Sequence, residues 1–495
     1  MRDGPAAWLT GHAAARPGAA ALITARETLS YATLRARIET GAAACLAAGL
    51  VPGQSLAIIT ASRERLVLAA GVAFHLGCPL LPLDPVRPEA WDLATESGVG
   101  QVICDRDLTT PRDLRRFDAE RLAAAVSARP TSSPPARDAA VQLMIATSGT
   151  SGQPRAVALT GHNLATAVRA SRQCLGLHPQ DVWLNTLPLS HIGGFAIVLR
   201  CLEAGAAMLL HETFAVETIR RVLDENRVSH VSLVPAMLAR LLDAGLDVGQ
   251  ASRLRHVLIG GARLDAGLAR RALAAGWPLC VSYGMTETAS HVCLYPGLDA
   301  SWQPGDAGKP LAGVSISIVN DDHRPVSGTG RIRIAGPMVM AGYMDGARLN
   351  GAGLIDNGLT TGDLGYLDDR GHLHVLGRAD EMLVSGGRNI HPHEVERLLQ
   401  VCPGVRDAAV TGLPDPVWGD RLVACIAGDA DLEDVEHWCR ANLPGSLRPR
   451  EFRAFTALPR DALGKLRRAE LRQAVQHDFG LREGTLRTTD GKAGA

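Results

Sequence analysis

The sequence predicts an α/β fold, with a large N-terminal region built on mainly parallel sheet and a small α+β domain after it. Three observations carry that reading. Short apolar runs alternate with helix-compatible segments up to about residue 320, the pattern of βαβ units and a parallel sheet. Residues 310–377 change character, with frequent glycines and strands of the antiparallel or barrel kind. After Arg378-Ala379-Asp380 comes a mixed pattern of roughly 100 residues, an ordinary domain size.

In chain order, Ser55-Leu56-Ala57-Ile58-Ile59 reads as a buried strand and Arg63 to Leu76 as a helix packed on it. Residues 108–139 are rich in Arg, Pro and Ser, with Pro130, Pro134 and Pro135 near the end, and read as a surface excursion. The apolar run Val141-Gln142-Leu143-Met144-Ile145-Ala146 leads into Thr147-Ser148-Gly149-Thr150-Ser151-Gly152-Gln153-Pro154-Arg155, and a helix-compatible segment follows from Asn163. That order reads as strand, flexible loop, helix. Val231-Ser232-Leu233-Val234, His256-Val257-Leu258-Ile259 and Leu279-Cys280-Val281 are short buried strands, with a helix from Leu264 to Ala275 between the last two. Ser315-Ile316-Ser317-Ile318-Val319, Arg331-Ile332-Arg333-Ile334 and His372-Leu373-His374-Val375-Leu376 supply the antiparallel or barrel strands. The end, Arg482 to Ala495, is polar and rich in Gly and Thr and reads as a frayed tail.

At 495 residues, with 46% hydrophobic and 21% charged residues, the chain has the composition of an ordinary soluble protein of two or more domains. Its formal net charge of zero gives no reason to expect a nucleic-acid or acidic-membrane partner. No apolar span reaches membrane length, and Met1-Arg2-Asp3-Gly4-Pro5 lacks the pattern of a signal peptide, so a cytoplasmic protein is expected. The ten cysteines form no C-x-x-C pair and sit mostly among apolar residues, which suits free thiols in a reducing compartment. His391-Pro392-His393-Glu394 has metal-ligating residue types but no matching Cys/His cluster, and reads as a solvated turn. Only three of the 51 Lys and Arg residues are lysines: Lys309, Lys465 and Lys492. Against such a bias, a lysine that persists marks a need for a compact ammonium. Lys492 lies in the tail, which leaves Lys465 as the one to follow.

Six segments bear chemistry. The Thr147–Arg155 stretch alternates hydroxyls and glycines and ends on a cation. Glycines let the backbone turn its N–H groups toward an anion, and the hydroxyls add donors, so it is a phosphate cradle by chemistry. It is not a Walker A loop, since no G-x-x-x-x-G-K-[ST] occurs in the chain. Gly260-Gly261-Ala262 follows a strand, where open α/β sheets bind ligands. Ser282-Tyr283-Gly284-Met285-Thr286-Glu287-Thr288 offers a ring to stack on a base, a hydroxyl for a phosphate and a carboxylate for the Mg2+ that neutralises it. In Thr361-Gly362-Asp363-Leu364-Gly365 the acid can accept both hydroxyls of a ribose. Gly377-Arg378-Ala379-Asp380 and Ser385-Gly386-Gly387-Arg388-Asn389-Ile390 put small residues at the domain boundary, where a hinge and a close ligand approach need them. Pro459-Arg460-Asp461-Ala462-Leu463-Gly464-Lys465 places a loop lysine where it can balance developing negative charge. Taken singly, each also fits a bland role as a flexible loop, turn, helix start, linker or solvated lysine.

In this order and spacing the segments resemble the acyl-adenylate-forming superfamily of AMP-dependent synthetases and ligases, from Leu29-Ser30-Tyr31 to Lys465. The resemblance implies an AMP-binding region, residues 1–379, of two doubly wound subdomains and a distorted β-barrel. It also implies a mobile C-terminal lid, 380–481, and a flexible tail, 482–495. The implied enzyme is an acid–thiol ligase. A carboxylate attacks the α-phosphate of ATP to give acyl-AMP and pyrophosphate, and a thiol, usually CoA, displaces AMP. By the same resemblance Thr147, Ser148, Gly149, Thr150, Ser151 and Gly152 cradle the β- and γ-phosphates, with Arg155 screening them. Thr286 contacts the α-phosphate and Glu287 helps hold Mg2+. Gly260, Gly261 and Tyr283 form the adenine slot, and Asp363 takes the ribose with Arg378 near it. Lys465 bridges the attacking carboxylate and the α-phosphate. Rotation about Asp380 then withdraws it and brings Gly386 and Gly387 to the CoA tunnel.

Within the superfamily, Leu187-Pro188-Leu189-Ser190-His191-Ile192-Gly193-Gly194, the segment Ser282 to Ser290 and Ser385 to Ile390 are most similar to o-succinylbenzoate–CoA ligases of menaquinone synthesis. That implies an aromatic acid as substrate, with His191 facing it and Ser282 and Ser290 as partners for a dianion. Three positions depart from the superfamily pattern. Arg155 stands where Lys is usual, Ala156 where Gly is common, and Ser190 where a bulky or aromatic residue precedes the His, which can widen the acyl pocket. The same motifs serve an enzyme that loads an acyl group onto a carrier protein, and that alternative stays open. ATP, Mg2+, CoA and a small-molecule carboxylate are the expected ligands, and a homo-oligomer is left open.

Overall fold

The computed structural model describes residues 4–87, 89–109, 111, 113–120, 139–147, 154–225, 227–249, 253–460, 464 and 466–477. The chain divides into two units, residues 1–328, 332–361 and 367–374 in one and residues 329–331, 362–366 and 375–495 in the other.

The first unit holds two large sheets. One runs, neighbour to neighbour, Lys309–Pro310, Ser290–Tyr295, Leu279–Met285, His256–Ile259, His230–Leu233, Val182–Asn185, Ala207–Leu210, Ala20–Ile23 and Thr28–Ser30. The other runs Arg348–Asn350, Gly342–Asp345, Arg155–Thr160, Val141–Thr147, Leu80–Leu83, Leu56–Ile59, Gln101–Cys104 and Arg115–Asp118. Their central pairs are parallel, as βαβ alternation predicts, and antiparallel pairs lie toward the margins, except at the edge where Arg115–Asp118 runs parallel to Gln101–Cys104. Leu56, Ala57, Ile58 and Ile59 are all at most 1% exposed, which is why this strand is a continuous apolar run rather than an alternating one. Five strands between Ser315 and Arg378 form a third sheet.

Around Thr147 the strand and the helix stand where the sequence places them, as Val141–Thr147 and Gly161–Leu175, and the structure adds a strand between them. Arg155–Thr160 is itself a strand, antiparallel to Val141–Thr147, with Thr147 level with Arg155. Ala156, Val157, Ala158 and Leu159 are buried, and sheet pairing claims them before any helix can start. Helix Gly161–Leu175 begins only at Thr160, where a capping box with Asn163 satisfies both ends of the first turn. Residues 148–153 lie outside the described residues. The excursion expected over 108–139 is corrected in part, since Arg115–Asp118 extends the sheet beside Gln101–Cys104 and buries Phe117. Leu279–Met285 is longer than predicted because Ser290–Tyr295 turns back on it and supplies an antiparallel partner.

In the second unit, Val405–Asp415 and Gly419–Gly428 form a long hairpin flanked by Leu383–Ser385, Arg388–Ile390 and Glu451–Phe455. Its strands alternate strictly. Leu422, Ala424 and Ile426 face Val395, Leu399, Val435 and Cys439, whereas Val423 and Cys425 face Leu458, Leu471 and Val475. Pro392 occupies the first turn of helix Pro392–Leu399, so His391 to Glu394 start a helix instead of making a solvated turn. Among the described residues no group of three or more His, Cys, Asp or Glu could hold a metal ion, and no helix is long and apolar enough to cross a membrane. All ten cysteines are free, and all but Cys174 are buried.

Candidate active site

In the first unit, strand Leu279–Met285 ends in a single 3-10 turn, Thr286–Thr288, and reverses into Ser290–Tyr295. Thr288 is fully buried and ties the reversal: its oxygen accepts from the Met285 N–H at 3.1 Å, and it lies 2.8 Å from the Ser290 carbonyl. A Cβ on Gly284 would lie 2.2 Å from that same carbonyl oxygen, so the reversal needs glycine there. Ala289 and Ser290 follow at φ 54° and 123°, a strained pair that persists because the strands on either side over-determine it. Thr286 and Glu287 are thereby set, half-buried, beyond a strand end.

Tyr343 joins two of the predicted motifs. Its hydroxyl donates to Glu287 Oε1 at 2.8 Å, and the Arg155 guanidinium carbon lies 3.8 Å from its ring centroid. One tyrosine thus orients the acid and stacks the cation. Glu287 Oε2 makes no hydrogen bond among the described residues. A single oriented carboxylate suits Mg2+, which takes one or two carboxylates and completes its shell with phosphates and water. Thr147 stands opposite Arg155, while Ser148, Gly149, Thr150, Ser151 and Gly152 lie outside the described residues. Gly260 and Gly261 follow strand His256–Ile259. Gly261 is at φ 76°, and a Cβ on Gly260 would come 2.9 Å from Ser282 Oγ. Tyr283 lies half-buried on the neighbouring strand.

His191 stands in extended backbone at the start of helix Ile192–Ala204. Asn185, fully buried, fixes this entry. Its side-chain N–H donates to the Gly194 carbonyl at 3.0 Å, and its oxygen accepts from the Leu187 N–H at 3.2 Å. Gly194 passes so close to Pro188 that a Cβ would lie 2.3 Å from its carbonyl oxygen.

Further along the same helix is a cation that no motif announces. Arg200 is 2% exposed. It donates to Ser290 Oγ at 2.8 Å and His291 Nδ1 at 3.0 Å, and its guanidinium carbon lies 5.4 Å from the Trp183 ring centroid. No carboxylate among the described residues pairs with it. Burial lowers its pKa to about 10, which still leaves it charged at neutral pH. Burial first, and the Arg200 charge second, push His291 well below the ordinary histidine range. Arg200 Nε and His291 Nε2 are buried with no acceptor among the described residues. A buried charge with no counter-charge costs several kcal/mol, so this cluster calls for an anion. Of the two predicted acyl-pocket serines only Ser290 touches it, since the Ser282 hydroxyl donates to the Ile259 carbonyl at 3.0 Å.

In the second unit, Arg378 donates to both carboxylate oxygens of Asp380 at 2.9 Å, and its guanidinium lies 3.8 Å from Asp363. The hydrogen bonds to Asp380 above all raise its pKa. Gly386 and Gly387 are at φ 58° and 74°. The Gly386 N–H donates to the Trp418 carbonyl at 2.9 Å, a Cβ there would meet the Trp418 ring at 3.2 Å, and the Arg450 guanidinium lies 4.3 Å from that ring's centroid. Lys465 lies outside the described residues.

The profile of the AMP-binding enzyme family matches residues 9–344, and that of the AMP-binding enzyme C-terminal domain matches residues 394–465. A 2-succinylbenzoate–CoA ligase of Bacillus cereus is 31% identical over 482 residues, spanning 95% of this chain and 98% of that one. One of Enterococcus faecalis is 34% identical over 340 residues, 68% of this chain and 70% of that one. The o-succinylbenzoate CoA synthetase of Bacillus subtilis in complex with the acyl-adenylate intermediate OSB-AMP is similar at a TM-score of 0.87 and 30% identity, over 95% of this chain and 98% of that one. The same enzyme in complex with ATP and magnesium ion matches at a TM-score of 0.87 and 30% identity, over 94% and 99%.

Proposed function

The chain belongs to the AMP-binding enzyme family, and on that premise we propose that it joins o-succinylbenzoate to CoA in menaquinone synthesis. It is an ATP-dependent, AMP-forming acid–thiol ligase. In the first step a carboxylate oxygen attacks the α-phosphorus of ATP and pyrophosphate leaves. In the second the CoA sulfur attacks the acyl carbon, AMP departs with the bonding oxygen, and the thiol proton is released.

The first step brings two anions together, so the residues assigned to it are donors and cations. Thr147 to Gly152 cradle the outer phosphates with Arg155, and Thr286 donates to the α-phosphate. Glu287, oriented by Tyr343, would hold Mg2+ together with the phosphates, and the ion supplies charge neutralisation there. Gly260, Gly261 and Tyr283 make room for the base, Asp363 accepts from the ribose, and Lys465 balances charge on the attacking carboxylate. Residues 380–481 act as the lid, hinged at Asp380, with Gly386 and Gly387 admitting the thiol. Ten free thiols suit the reducing cytoplasm.

The observation that supports this acid is Arg200. o-Succinylbenzoate carries two carboxylates. One is activated, and the other needs a cation away from the phosphates. Arg200 is buried, charged and without a carboxylate partner among the described residues, on the helix that His191 begins. Incubation with ATP, CoA and o-succinylbenzoate is expected to yield thioester, AMP and pyrophosphate. Release of ADP, or no thioester from this acid, would overturn the assignment.

A further inference from the structure

The geometry points to His291 as a positioning residue for acid selection: by accepting a hydrogen bond at Nδ1 it fixes the Arg200 fork in the orientation that meets a second carboxylate. The inference rests on the reading of Arg200 as the anchor for that carboxylate, and adds what makes the anchor directional.

Both contacts to Arg200 come from one terminal nitrogen. That nitrogen carries two protons, and Ser290 Oγ and His291 Nδ1 take one each. The donors left over are Nε–H, which is buried without an acceptor among the described residues, and the two protons of the other terminal nitrogen. The contacts therefore fix the plane of the fork and the direction in which its other terminal nitrogen points, and that sets where a carboxylate oxygen can meet it. Trp183 restrains the remaining rotation: its ring lies beneath the guanidinium, and its indole N–H donates to Ser232 Oγ at 3.2 Å.

Histidine is suited to this position. Accepting at Nδ1 places its single proton on Nε2. Its burial and the adjacent fixed cation both oppose a second proton, so it remains an acceptor at working pH. The ring is itself held, 5% exposed on strand Ser290–Tyr295 and level with Gly284, whose lack of a side chain lets the strands close. An apolar residue would fill the same space and leave Arg200 free to turn.

The test compares KM and kcat for o-succinylbenzoate and for 4-oxo-4-phenylbutanoate, the same acid without its ring carboxylate, followed by pyrophosphate release. His291→Leu is expected to raise KM for the dicarboxylate by about tenfold or more, the loss of one hydrogen bond to a charged group. KM for the monocarboxylate and kcat for both should stay within about twofold, close to the noise of one weak contact. His291→Asn, whose amide oxygen takes the place of Nδ1, should recover most of the loss. If KM rises equally for both acids, or for neither, His291 only packs and the inference fails. Should His291→Leu not fold, His291→Val, which offers no acceptor and suits a strand, must show the same split, and its absence is equally fatal. Arg200→Met separates the two layers. If it leaves the ratio of the two KM values unchanged, the anchor reading itself falls. If it collapses the ratio while His291→Leu does not, only the role of His291 falls.

Discussion

Arg155 and Glu287 sit in separate motifs and share one side chain, Tyr343. Its two contacts can be removed separately. Tyr343→Phe keeps the ring beneath Arg155 and deletes the hydrogen bond to Glu287, worth about 1.5–3 kcal/mol when the acceptor is charged. The Mg2+ concentration for half-maximal pyrophosphate release is expected to rise by about tenfold, with KM for the acid unchanged. Tyr343→Leu removes both contacts and should raise KM for ATP as well. A magnesium titration that superimposes on the wild type would refute the coupling. The residues that sequence reasoning could single out are those whose chemistry is chain-local: hydroxyls beside glycines, an acid between glycines, a lysine in an arginine-biased chain. Tyr343, Asn185, Arg200 and His291 were not legible. Each is a single side chain whose meaning lies in a partner distant in sequence, as Arg200 finds Ser290.

At the scale of elements, the reversal between Leu279–Met285 and Ser290–Tyr295 depends on Gly284. A Cβ there would meet the Ser290 carbonyl oxygen at 2.2 Å and His291 Cα at 2.4 Å, both backbone atoms that cannot swing away. Gly284→Ala is expected to cost about 3 kcal/mol through forced separation of the strands, and to lose activity with it because Thr286 and Glu287 ride on the same turn. Gly11→Ala is the control. It lies in helix Pro5–Ala15 with nothing within 4 Å of the added methyl, and should stabilise by about 0.5–1 kcal/mol. Thermal melts of the two variants check both signs, and a Gly284→Ala protein that melts like the wild type would remove the argument. Strand existence was largely legible, since His256–Ile259 and Ser315–Val319 fall where the apolar patterns place them. Arg155–Thr160 was not, because a short apolar run of Ala, Val, Ala and Leu fits strand and helix alike, and only its antiparallel partner decides.

For the whole molecule, the role proposed for Lys465 in the first of two half-reactions is one that a variant can separate from the second. Lys465→Ala is expected to abolish pyrophosphate release from ATP and acid while thioester formation from supplied acyl-AMP largely survives. Equal loss of both would remove the assigned role. Stability has its own global signature, which comes from histidines. His230, fully buried against Trp183 and His256, has its pKa lowered to about 4, by burial first and then by His256. His256, His211 and His291 are also lowered, each by burial above all. Unfolding returns them to about 6.5. Between these values the unfolded chain binds more protons than the folded one, so stability must fall as pH drops below about 6.5. For His230 alone the loss approaches about 3 kcal/mol by pH 4. Melting temperature should therefore decline between pH 7 and 5, above the range where carboxylates titrate, and His230→Gln should flatten that decline whatever it does to the melting temperature at pH 7. A melting temperature level across this window, or the same slope in the variant, would mean that the buried histidines are already neutral in the unfolded chain or are protonated without cost in the folded one.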